Sequence, residues 1–414
     1  MDMKEKVNHM SNTFCPAPFV HFYHKGGPHG KVCCIAKSKL IHQKTAKQTW
    51  SSQRYKNIRQ DMLDNKPVFD CEPCYNEEKL GGKSDRMYYL NKFIDNDYNI
   101  ETGNELSKPI DLDLRLSNLC NLGCRMCIPS YSSIIEKTKQ SIPELANVAG
   151  WDETGVANKM LTDEDIEWLI NDNPNLRRVK FLGGEPTIMN EVYKILDLII
   201  ENKLQPLIGI TTNCTNVNKR FIEYLKYFKN TTINMSIDGV RDTLEYIRHP
   251  VKFKTVDKNV DIICEHGTYV NVNFVIQALN IHNLSDFIDW IVTKEKVQNI
   301  NSVIVYSPKG VSPYYLPLEY RKPLLEKALN NKNIDNPMFN KTFKKQIEHL
   351  YKSTEEYFIN EFVNLNLLYD QHRKQHLYKI MPDIKDILDN KILNIGNSSK
   401  FKSRLVKHFV EKEV

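Results

Sequence analysis

Between Ile110 and Ser307 the chain alternates between short apolar segments and longer stretches with a helical repeat. Segments typical of strands lie at Ile110–Ser117, Val179–Leu182, Leu207–Asn213, Ile233–Asp238, Tyr269–Gln277 and Ser302–Ser307. Helical periodicity occurs between them, at Asn190–Asn202, Asn218–Phe228, Thr255–His266 and Leu284–Lys294. Because strands that alternate with helices pair in parallel through crossover connections, the pattern predicts an α/β fold with a parallel sheet.

Several of these strands carry polar residues on one face. Parallel strands that are buried on both sides read as continuous apolar runs, so this alternation needs an explanation. The polar faces consist of Asp111, Asp113, Arg115 and Ser117 on the first strand, Asn234, Ser236 and Asp238 on the fourth, and Asn271, Asn273 and Gln277 on the fifth. A buried polar face costs stability unless water or a polar ligand fills it, so the pattern predicts a cavity for a polar ligand. The alternative is a solvated face of an antiparallel edge.

Three cysteines follow the first strand closely. Cys120, Cys124 and Cys127 have the spacing C-x3-C-x2-C within the segment Leu112–Pro129. A 4Fe–4S cluster is usually held by four cysteines, so three thiolates leave one iron with open positions for a ligand. The alternatives are a structural zinc site or buried free thiols. A zinc site needs a fourth ligand, and no His or Cys follows nearby in the sequence.

This three-cysteine loop after a first strand resembles the radical S-adenosylmethionine (radical SAM) superfamily. The resemblance implies an open (βα)6 barrel over residues 110–320 and a 4Fe–4S cluster whose open iron binds the amino and carboxylate groups of SAM. It also implies reductive cleavage of SAM to a 5′-deoxyadenosyl radical, which abstracts a hydrogen atom from the substrate. Met126 stands where the family usually has an aromatic residue near the adenine.

Further SAM contacts are implied by the same resemblance. The second strand ends in Gly183-Gly184-Glu185-Pro186, which resembles the GGEP motif that binds the SAM amino group. Glycines let the backbone approach a ligand closely, and proline lacks a competing N–H. The positions assigned to ribose and nearby SAM atoms hold Asn213, Ser236 and Asp238. Arg248 resembles the arginine that pairs with the SAM carboxylate, and the alternative is a surface arginine that caps a helix.

The N-terminal part of the chain contains a second cysteine set. Strands are predicted at Phe19–His24 and Lys31–Ala36, joined by a Gly- and Pro-rich turn at Gly26–Gly30, and a helix at about Ser52–Asn65. Four thiolates are then available from Cys15, Cys33 or Cys34, Cys71 and Cys74, the last two in a C-x-x-C motif. Cys33 is favoured over Cys34 because Cys34 points to the opposite side of the predicted strand.

This second set resembles the twitch domain, a shorter relative of the SPASM domain, which binds an auxiliary 4Fe–4S cluster beside many radical SAM cores. The resemblance includes the hairpin, the helix, the C-x-x-C motif and the trailing Ser84-Asp-Arg86, although most relatives carry this module after the core. A zinc ribbon would use the same four thiolates. Since four protein ligands close the cluster, we expect an electron carrier rather than a substrate ligand.

The composition is that of an ordinary soluble chain, with 414 residues, 41% hydrophobic and 26% charged. Its N-terminus lacks a signal-peptide core and no apolar run approaches a membrane span, so we expect a cytoplasmic protein in which ten cysteines serve metals rather than disulfides. Arg321–Val414 holds 18 Lys and Arg against 12 Asp and Glu, which is the entire net charge of +6. No nucleic-acid motif accompanies that excess, so nucleic acid is not the expected partner.

Together these observations predict three parts: a twitch-like domain over 1–95, a radical SAM core over 110–320 and a helical C-terminal extension over 321–414. The helices predicted in the extension lie at Arg321–Leu329, Phe343–Leu350, Glu355–Leu368, Tyr378–Ile380 continuing into Pro382–Leu388, and Phe401–Glu413. The leading hypothesis is a radical SAM oxidoreductase that acts on a peptide, a protein or a small polar molecule. It would pass the product radical's electron to the auxiliary cluster, with a flavodoxin or ferredoxin as the expected electron donor. One alternative is a redox-neutral epimerisation or rearrangement. The other is a non-enzymatic zinc or iron–sulfur module that binds nucleic acid or a protein.

Overall fold

The computed structural model of the chain describes residues 13–25, 30–37, 41, 43–94, 108–151 and 161–385. The helix predicted at Phe401–Glu413 lies outside these ranges, as do most of the predicted Gly26–Gly30 turn and the end of the helix predicted at Pro382–Leu388.

The described residues contain eight strands. They are β1 His21–Lys25, β2 Gly30–Lys31, β3 Asp111–Arg115, β4 Arg178–Leu182, β5 Leu207–Thr212, β6 Thr231–Ser236, β7 Tyr269–Ile276 and β8 Val297–Ile304. The first five strands predicted for the core agree with β3 to β7 to within about two residues at each end. The sixth prediction, Ser302–Ser307, was wrong because β8 begins at Val297. Two successive exposed residues, Gln298 and Asn299, break the alternation there, at a register shift against β7.

Two compact units divide the chain. The first contains the described residues of Met1–Asn118, Val156–Thr211 and Glu223–Thr232. Its strands follow the order β2-β1-β3-β4-β5. β1 pairs antiparallel with β2 and parallel with β3, and β3, β4 and β5 continue in parallel. The N-terminal strand β1 therefore belongs to the same sheet as β3. The division of the chain into three parts at residues 1–95, 110–320 and 321–414 stays a prediction.

The second unit contains the described residues of Leu119–Gly155, Thr212–Ile222 and Ile233–Val414. Its strands follow the order β6-β7-β8, with β7 and β8 parallel. The mixed α/β class with a parallel sheet is thus confirmed.

The polar strand faces are filled differently in the two units. In the first unit, the buried Asp111 of β3 accepts hydrogen bonds from Arg178 Nε at 2.9 Å and lies 3.1 Å from His21 Nδ1. In the second unit, carboxamides bond across the strands, from Asn299 to Asn271 at 3.3 Å and from Asn301 to Asn273 at 3.3 Å. An ion pair therefore satisfies Asp111 on the first polar face, whereas neutral amide groups bond across β7 and β8 on the second.

Helices surround these strands. They are α1 Ala17–Val20, α2 Ala46–Trp50, α3 Gln53–Leu63, α4 Glu72–Lys79, α5 Asp85–Ile94, α6 Ser133–Ser141, α7 Pro143–Ala149, α8 Asp163–Ile170, α9 Asn190–Glu201, α10 Lys219–Tyr227, α11 Arg241–Ile247, α12 Phe253–His266, α13 Leu284–Ile291, α14 Leu318–Leu329, α15 Lys341–Lys352, α16 Asn360–Arg373 and α17 Leu377–Ile380. Within the described ranges, none of them combines the length and apolar character needed to cross a membrane.

The described part of the C-terminal region, residues 321–385, is mostly helical, but one helix starts later than the sequence pattern indicates. A helix was predicted from Glu355, whereas α16 begins at Asn360. Arg321 donates hydrogen bonds to the carbonyls of Ser353 and Glu355, at 3.2 and 2.5 Å. These carbonyls are thereby held by a side chain from another helix, and the segment before Asn360 stays non-helical.

Candidate cluster and cofactor sites

The three-cysteine loop is held by backbone and hydroxyl hydrogen bonds within the second unit. Gly123 N–H donates to the carbonyl of His249 at 2.8 Å, and Arg125 N–H donates to that of Ile247 at 2.9 Å, so the end of α11 supports the loop. At the start of α6, the Ser132 hydroxyl donates to the Leu122 carbonyl at 2.8 Å. The loop conformation is therefore set by two helix ends rather than by the loop alone.

Two thiols of this loop, Cys120 and Cys124, raise the pKa of the third, Cys127. Cys124 is buried and Cys120 and Cys127 are half-buried. Burial raises the pKa of the Cys127 thiol, and Cys124 and Cys120 raise it further. Burial also raises the pKa of Cys124, while the Arg248 guanidinium opposes that rise. A convergent set of three thiols beside a cation fits a thiolate-ligated iron–sulfur cluster, which carries negative charge.

Arg248 lies beside this set and is not a surface residue. It is buried, and its Nε and Nη2 contact Asp238 Oδ2 at 2.7 and 2.5 Å. Its remaining Nη1 donates to Cys124 Sγ at 3.7 Å. Asp238 Oδ1 in turn accepts from Val275 N–H at 2.8 Å. Asp238 therefore orients Arg248, and the free edge of the guanidinium faces the cysteine loop.

Asn213 connects the end of β5 to the cysteine loop. Its Nδ2 donates to Asn121 Oδ1 at 2.9 Å, and its Oδ1 accepts from the Thr215 hydroxyl at 2.6 Å. Asn121 closes the triangle by donating to the same hydroxyl at 2.7 Å. Asn213 thus helps to fix the loop between the first two cysteines.

Two other predicted SAM contacts of the second unit lie in different surroundings. Met126 packs against an apolar cluster that includes Ile135 of α6 and Tyr369 of α16. Ser236 lines a cavity of about 560 Å³ together with Arg248 and polar residues of β7 and β8. This cavity lies on the face of β7 and β8 that carries Asn273 and Asn301, and β7 is one of the strands whose polar face predicts a cavity.

In the first unit, the GGEP segment follows β4 with a tight backbone. Gly183 and Gly184 have φ angles of +75° and +52°, which glycine adopts without strain. A Cβ at Gly183 would lie 3.3 Å from the Ser117 carbonyl oxygen. The buried Glu185 accepts hydrogen bonds from the Thr187 N–H and hydroxyl at 3.2 and 2.6 Å. The turn is thereby shaped independently of any ligand.

The N-terminal thiols also form one group, within the first unit. Burial raises the pKa of Cys15, and Cys71, Cys33 and Cys74 raise it further. Burial and the neighbouring Cys74 raise the pKa of Cys71 to about 12. The structure therefore brings these four thiols together, as the predicted set requires.

Cys34 has its own hydrogen-bond partner, although it also raises the pKa of the neighbouring Cys33. Its Sγ is 3.5 Å from Asp85 Oδ2, and burial and Asp85 raise its pKa to about 11. The preference for Cys33 rested on strand alternation, and that reason was wrong. The predicted return strand Lys31–Ala36 ends at Lys31, so both cysteines lie in the turn after β2. Which of them is a ligand stays a prediction in favour of Cys33.

This preference gives a direct test by iron analysis. If the N-terminal thiols hold a second cluster, Cys33→Ala is expected to remove about half of the iron of the reconstituted protein, because that cluster would lose a ligand. Cys34→Ala is expected to leave the iron content unchanged and serves as the matched control. Loss of iron only in Cys34→Ala would reverse the assignment.

In the described ranges, no three His, Cys, Asp or Glu side chains converge as ligands of a single metal ion. A 4Fe–4S cluster spreads its cysteines over separate irons, so its ligands stand farther apart than those of one ion, and the donor set still fits a cluster.

Sequence reasoning missed a buried network behind the loop. Arg125 is fully buried, and its Nη2 contacts Asp370 Oδ1 at 2.5 Å. Its guanidinium lies 3.7 Å from the Tyr246 ring centroid, and the Tyr246 hydroxyl donates to the same Asp370 oxygen at 2.8 Å. The sequence contained only a weak signal for this network, namely an arginine between two cysteines and an aspartate on an amphipathic helix. The network ties the loop to α16.

Comparison with known proteins places a family domain over this site. Residues 114–291 match the model of the radical SAM superfamily. GTP 3′,8-cyclase from Staphylococcus epidermidis is 26% identical over 199 residues, which cover 46% of this chain and 53% of that protein. The chain thus spans about half the length of the curated relatives it matches.

Solved structures with a similar fold include AdoMet-bound native anSMEcpe, with 19% identity, a TM-score of 0.38 and coverage of 52% of this chain and 57% of that one. Streptococcus suis SuiB has 16% identity, a TM-score of 0.36 and coverage of 80% and 71%. The matched residues include the three cysteines, the GGEP segment and Arg248. Residues 114–291 therefore form a radical SAM superfamily domain.

Proposed function

We propose that this chain is a radical SAM oxidoreductase with a core 4Fe–4S cluster and an auxiliary one. The observation that carries the proposal is the group of three interacting thiols beside Arg248, within the matched family domain. In this proposal Cys120, Cys124 and Cys127 hold the core cluster and leave one iron open for SAM.

With cluster and SAM bound, the site supplies a 5′-deoxyadenosyl radical that removes a hydrogen atom from the substrate. The chain positions these groups. Gly183, Gly184 and Glu185 offer contacts for the SAM amino group, and Ser236 and Asn213 offer hydrogen bonds to the ribose side. Both carboxylate oxygens of Asp238 already accept hydrogen bonds, which favours a role in orienting Arg248 over direct contact with SAM.

For the auxiliary cluster we propose Cys15, Cys33, Cys71 and Cys74 as ligands. Support comes from the mutual effect of these thiols on their pKa values. Arg86 stabilises the surrounding chain, since its Nε donates to Glu78 at 2.9 Å and its Nη1 to the Phe14 carbonyl at 3.0 Å. A cluster with four protein ligands has no open iron, so it would accept the electron left on the product radical.

The substrate side of the proposal rests on the cavity of about 560 Å³ in the second unit. Asn273, Asn301 and Ser302 contribute neutral hydrogen-bonding groups to it, and Ser302 Oγ is buried without a hydrogen-bond partner. Neutral donors and acceptors suit a peptide backbone or another uncharged polar group. We propose a peptide, a protein or a small polar molecule as substrate, and a flavodoxin or ferredoxin as electron donor.

Anaerobic purification followed by metal analysis tests the proposal. Two clusters predict about eight irons per chain, together with 5′-deoxyadenosine formation from SAM and dithionite. Zinc without iron would instead support the non-enzymatic binding module.

The two clusters have separable roles in this proposal. Cys74→Ala is expected to lose about half of the iron yet to keep 5′-deoxyadenosine formation, because the core ligands are intact. Cys264→Ala, which changes a buried cysteine of α12 outside both sets, should match the parent protein in both measurements. If Cys74→Ala stopped SAM cleavage altogether, the auxiliary set would be structural rather than an electron acceptor.

A redox-neutral reaction is the second candidate, and the name of the curated relative, GTP 3′,8-cyclase, favours it. Product mass separates the two, since a two-electron oxidation removes two hydrogens from the substrate and a rearrangement removes none.

A further inference from the structure

Three guanidinium groups lie near the cysteine loop in the second unit, and they differ in their partners. Arg125 pairs with Asp370, and Arg248 pairs with Asp238. Arg373, the last residue of α16, forms no ion pair with any Asp or Glu of the described residues. The region therefore contains one more cation than carboxylates.

Arg373 is held against the loop by its own contacts. Its Nη2 donates to the Gly123 carbonyl at 2.6 Å, and its guanidinium lies 4.1 Å from the Tyr369 ring centroid. A Cβ at Gly123 would lie 3.0 Å from the same Nη2, so glycine permits this close approach. The other terminal nitrogen, Nη1, is buried and has no hydrogen-bond partner among the residues that the structure describes.

Arg373 is half-buried as a residue, but its Nη1 is shielded from water. A guanidinium nitrogen that loses its hydration without gaining a carboxylate partner is unfavourable. Burial and the adjacent Arg125 lower the pKa of Arg373 to about 10, so the group is still a cation at neutral pH. The Gly123 carbonyl that Nη2 contacts directly precedes Cys124 in the chain, and the Cys124 thiol raises the pKa of Arg373. Once the three cysteines ligate iron as thiolates, they supply the negative charge that the arginine lacks.

We propose that Arg373 is the counter-ion of the core 4Fe–4S cluster, with Nη2 fixed by the loop carbonyl of Gly123 and Nη1 donating toward the cluster. This inference rests on the proposed core cluster. It assigns a role to the C-terminal region, which lies outside the matched residues 114–291. A nearby cation and an N–H donor stabilise the reduced, more negative cluster, so Arg373 raises its reduction potential. Arg373 is accordingly a positioning and charge-balancing residue rather than a catalytic one.

The test is the midpoint potential of the core cluster in the full-length reconstituted protein, titrated without SAM and monitored by electron paramagnetic resonance. Arg373→Gln is expected to lower the midpoint potential of the core cluster by about 59 mV. For one electron, this is about a tenfold lower ratio of reduced to oxidised cluster at a fixed potential. The auxiliary cluster is expected to keep its potential. Lys374→Gln removes an exposed cation from the next residue and is the matched control, with no expected shift.

Other outcomes overturn the inference. An unchanged core potential in Arg373→Gln would leave Arg373 a packing residue, and weaker SAM binding with that potential unchanged would make it a carboxylate ligand of SAM. If Arg373→Gln assembles no cluster, Arg373→Lys replaces it. The single ammonium group of Arg373→Lys cannot reach both Gly123 and the cluster. The midpoint potential of this variant is therefore expected to fall less than that of Arg373→Gln, and an unchanged midpoint potential would reject Arg373 as the counter-ion. A parent protein without a core cluster would instead contradict the proposed function.

Discussion

Cys124→Ala is expected to abolish formation of 5′-deoxyadenosine from SAM and dithionite. Cys124 is the buried member of the three-cysteine set, and its Sγ lies 3.7 Å from Arg248 Nη1. Removing it leaves two thiolates for a proposed cluster that already lacks a fourth, and it takes away the sulfur that accepts from Arg248 Nη1. The measurement is anaerobic SAM cleavage followed by chromatography of the nucleoside product.

If the N-terminal thiols hold the proposed auxiliary cluster, the same variant should keep its iron, about half of the total, because Cys15, Cys33, Cys71 and Cys74 lie in the other compact unit. Cys264→Ala provides the matched control and should retain cleavage at the parent rate. Substantial cleavage by Cys124→Ala would show that another group ligates the iron, and the assignment of the loop as the SAM-cleaving site would fail.

The parts of this protein that sequence predicts well are local. The strands β3 to β7 follow from runs of four to nine residues, and the two cysteine motifs and the GGEP segment are each defined within a short segment. These features depend on residue type and spacing along a few turns of chain. A single sequence contains that information directly.

The supports of the cysteine loop are not local, and a single sequence does not disclose them. Arg125 contacts Asp370, 245 residues away, and Arg373 contacts Gly123, 250 residues away. Periodicity predicts that α16 is an amphipathic helix but not which loop its charged residues reach. The buried charges were therefore indistinguishable from solvated ones until the fold placed them.

The N-terminal cysteines show a different limit. The choice between Cys33 and Cys34 depended on a strand that ends at Lys31, two residues before the first of them. Element boundaries are set by tertiary contacts as well as by propensity, here by the short pairing of β2 with β1. A side-chain direction inferred from strand alternation is valid only inside the strand. The choice between Cys33 and Cys34 therefore has to rest on the contacts of each thiol rather than on odd or even position in the sequence.

Asp370→Asn is expected to lower the free energy of unfolding by about 3 kcal/mol, because it removes one partner of a buried ion pair and leaves the other uncompensated. Asp370 is fully buried and accepts from Arg125, from the Tyr246 hydroxyl at 2.8 Å and from Leu377 N–H at 2.7 Å. Asparagine fits the same space but supplies neither the charge nor the second acceptor oxygen. Chemical denaturation of iron-free protein measures the effect without a contribution from cluster binding.

Two controls separate charge burial from ordinary substitution. Asp64→Asn removes a carboxylate of an exposed pair with Lys66 and should leave the denaturation midpoint unchanged. The double change Arg125→Met with Asp370→Leu removes both charges, and it should be more stable than Asp370→Asn because no unpaired charge stays buried. A double variant that is no more stable than the single one would mean that the surrounding hydrogen bonds, rather than the pair of charges, hold the cysteine loop to α16.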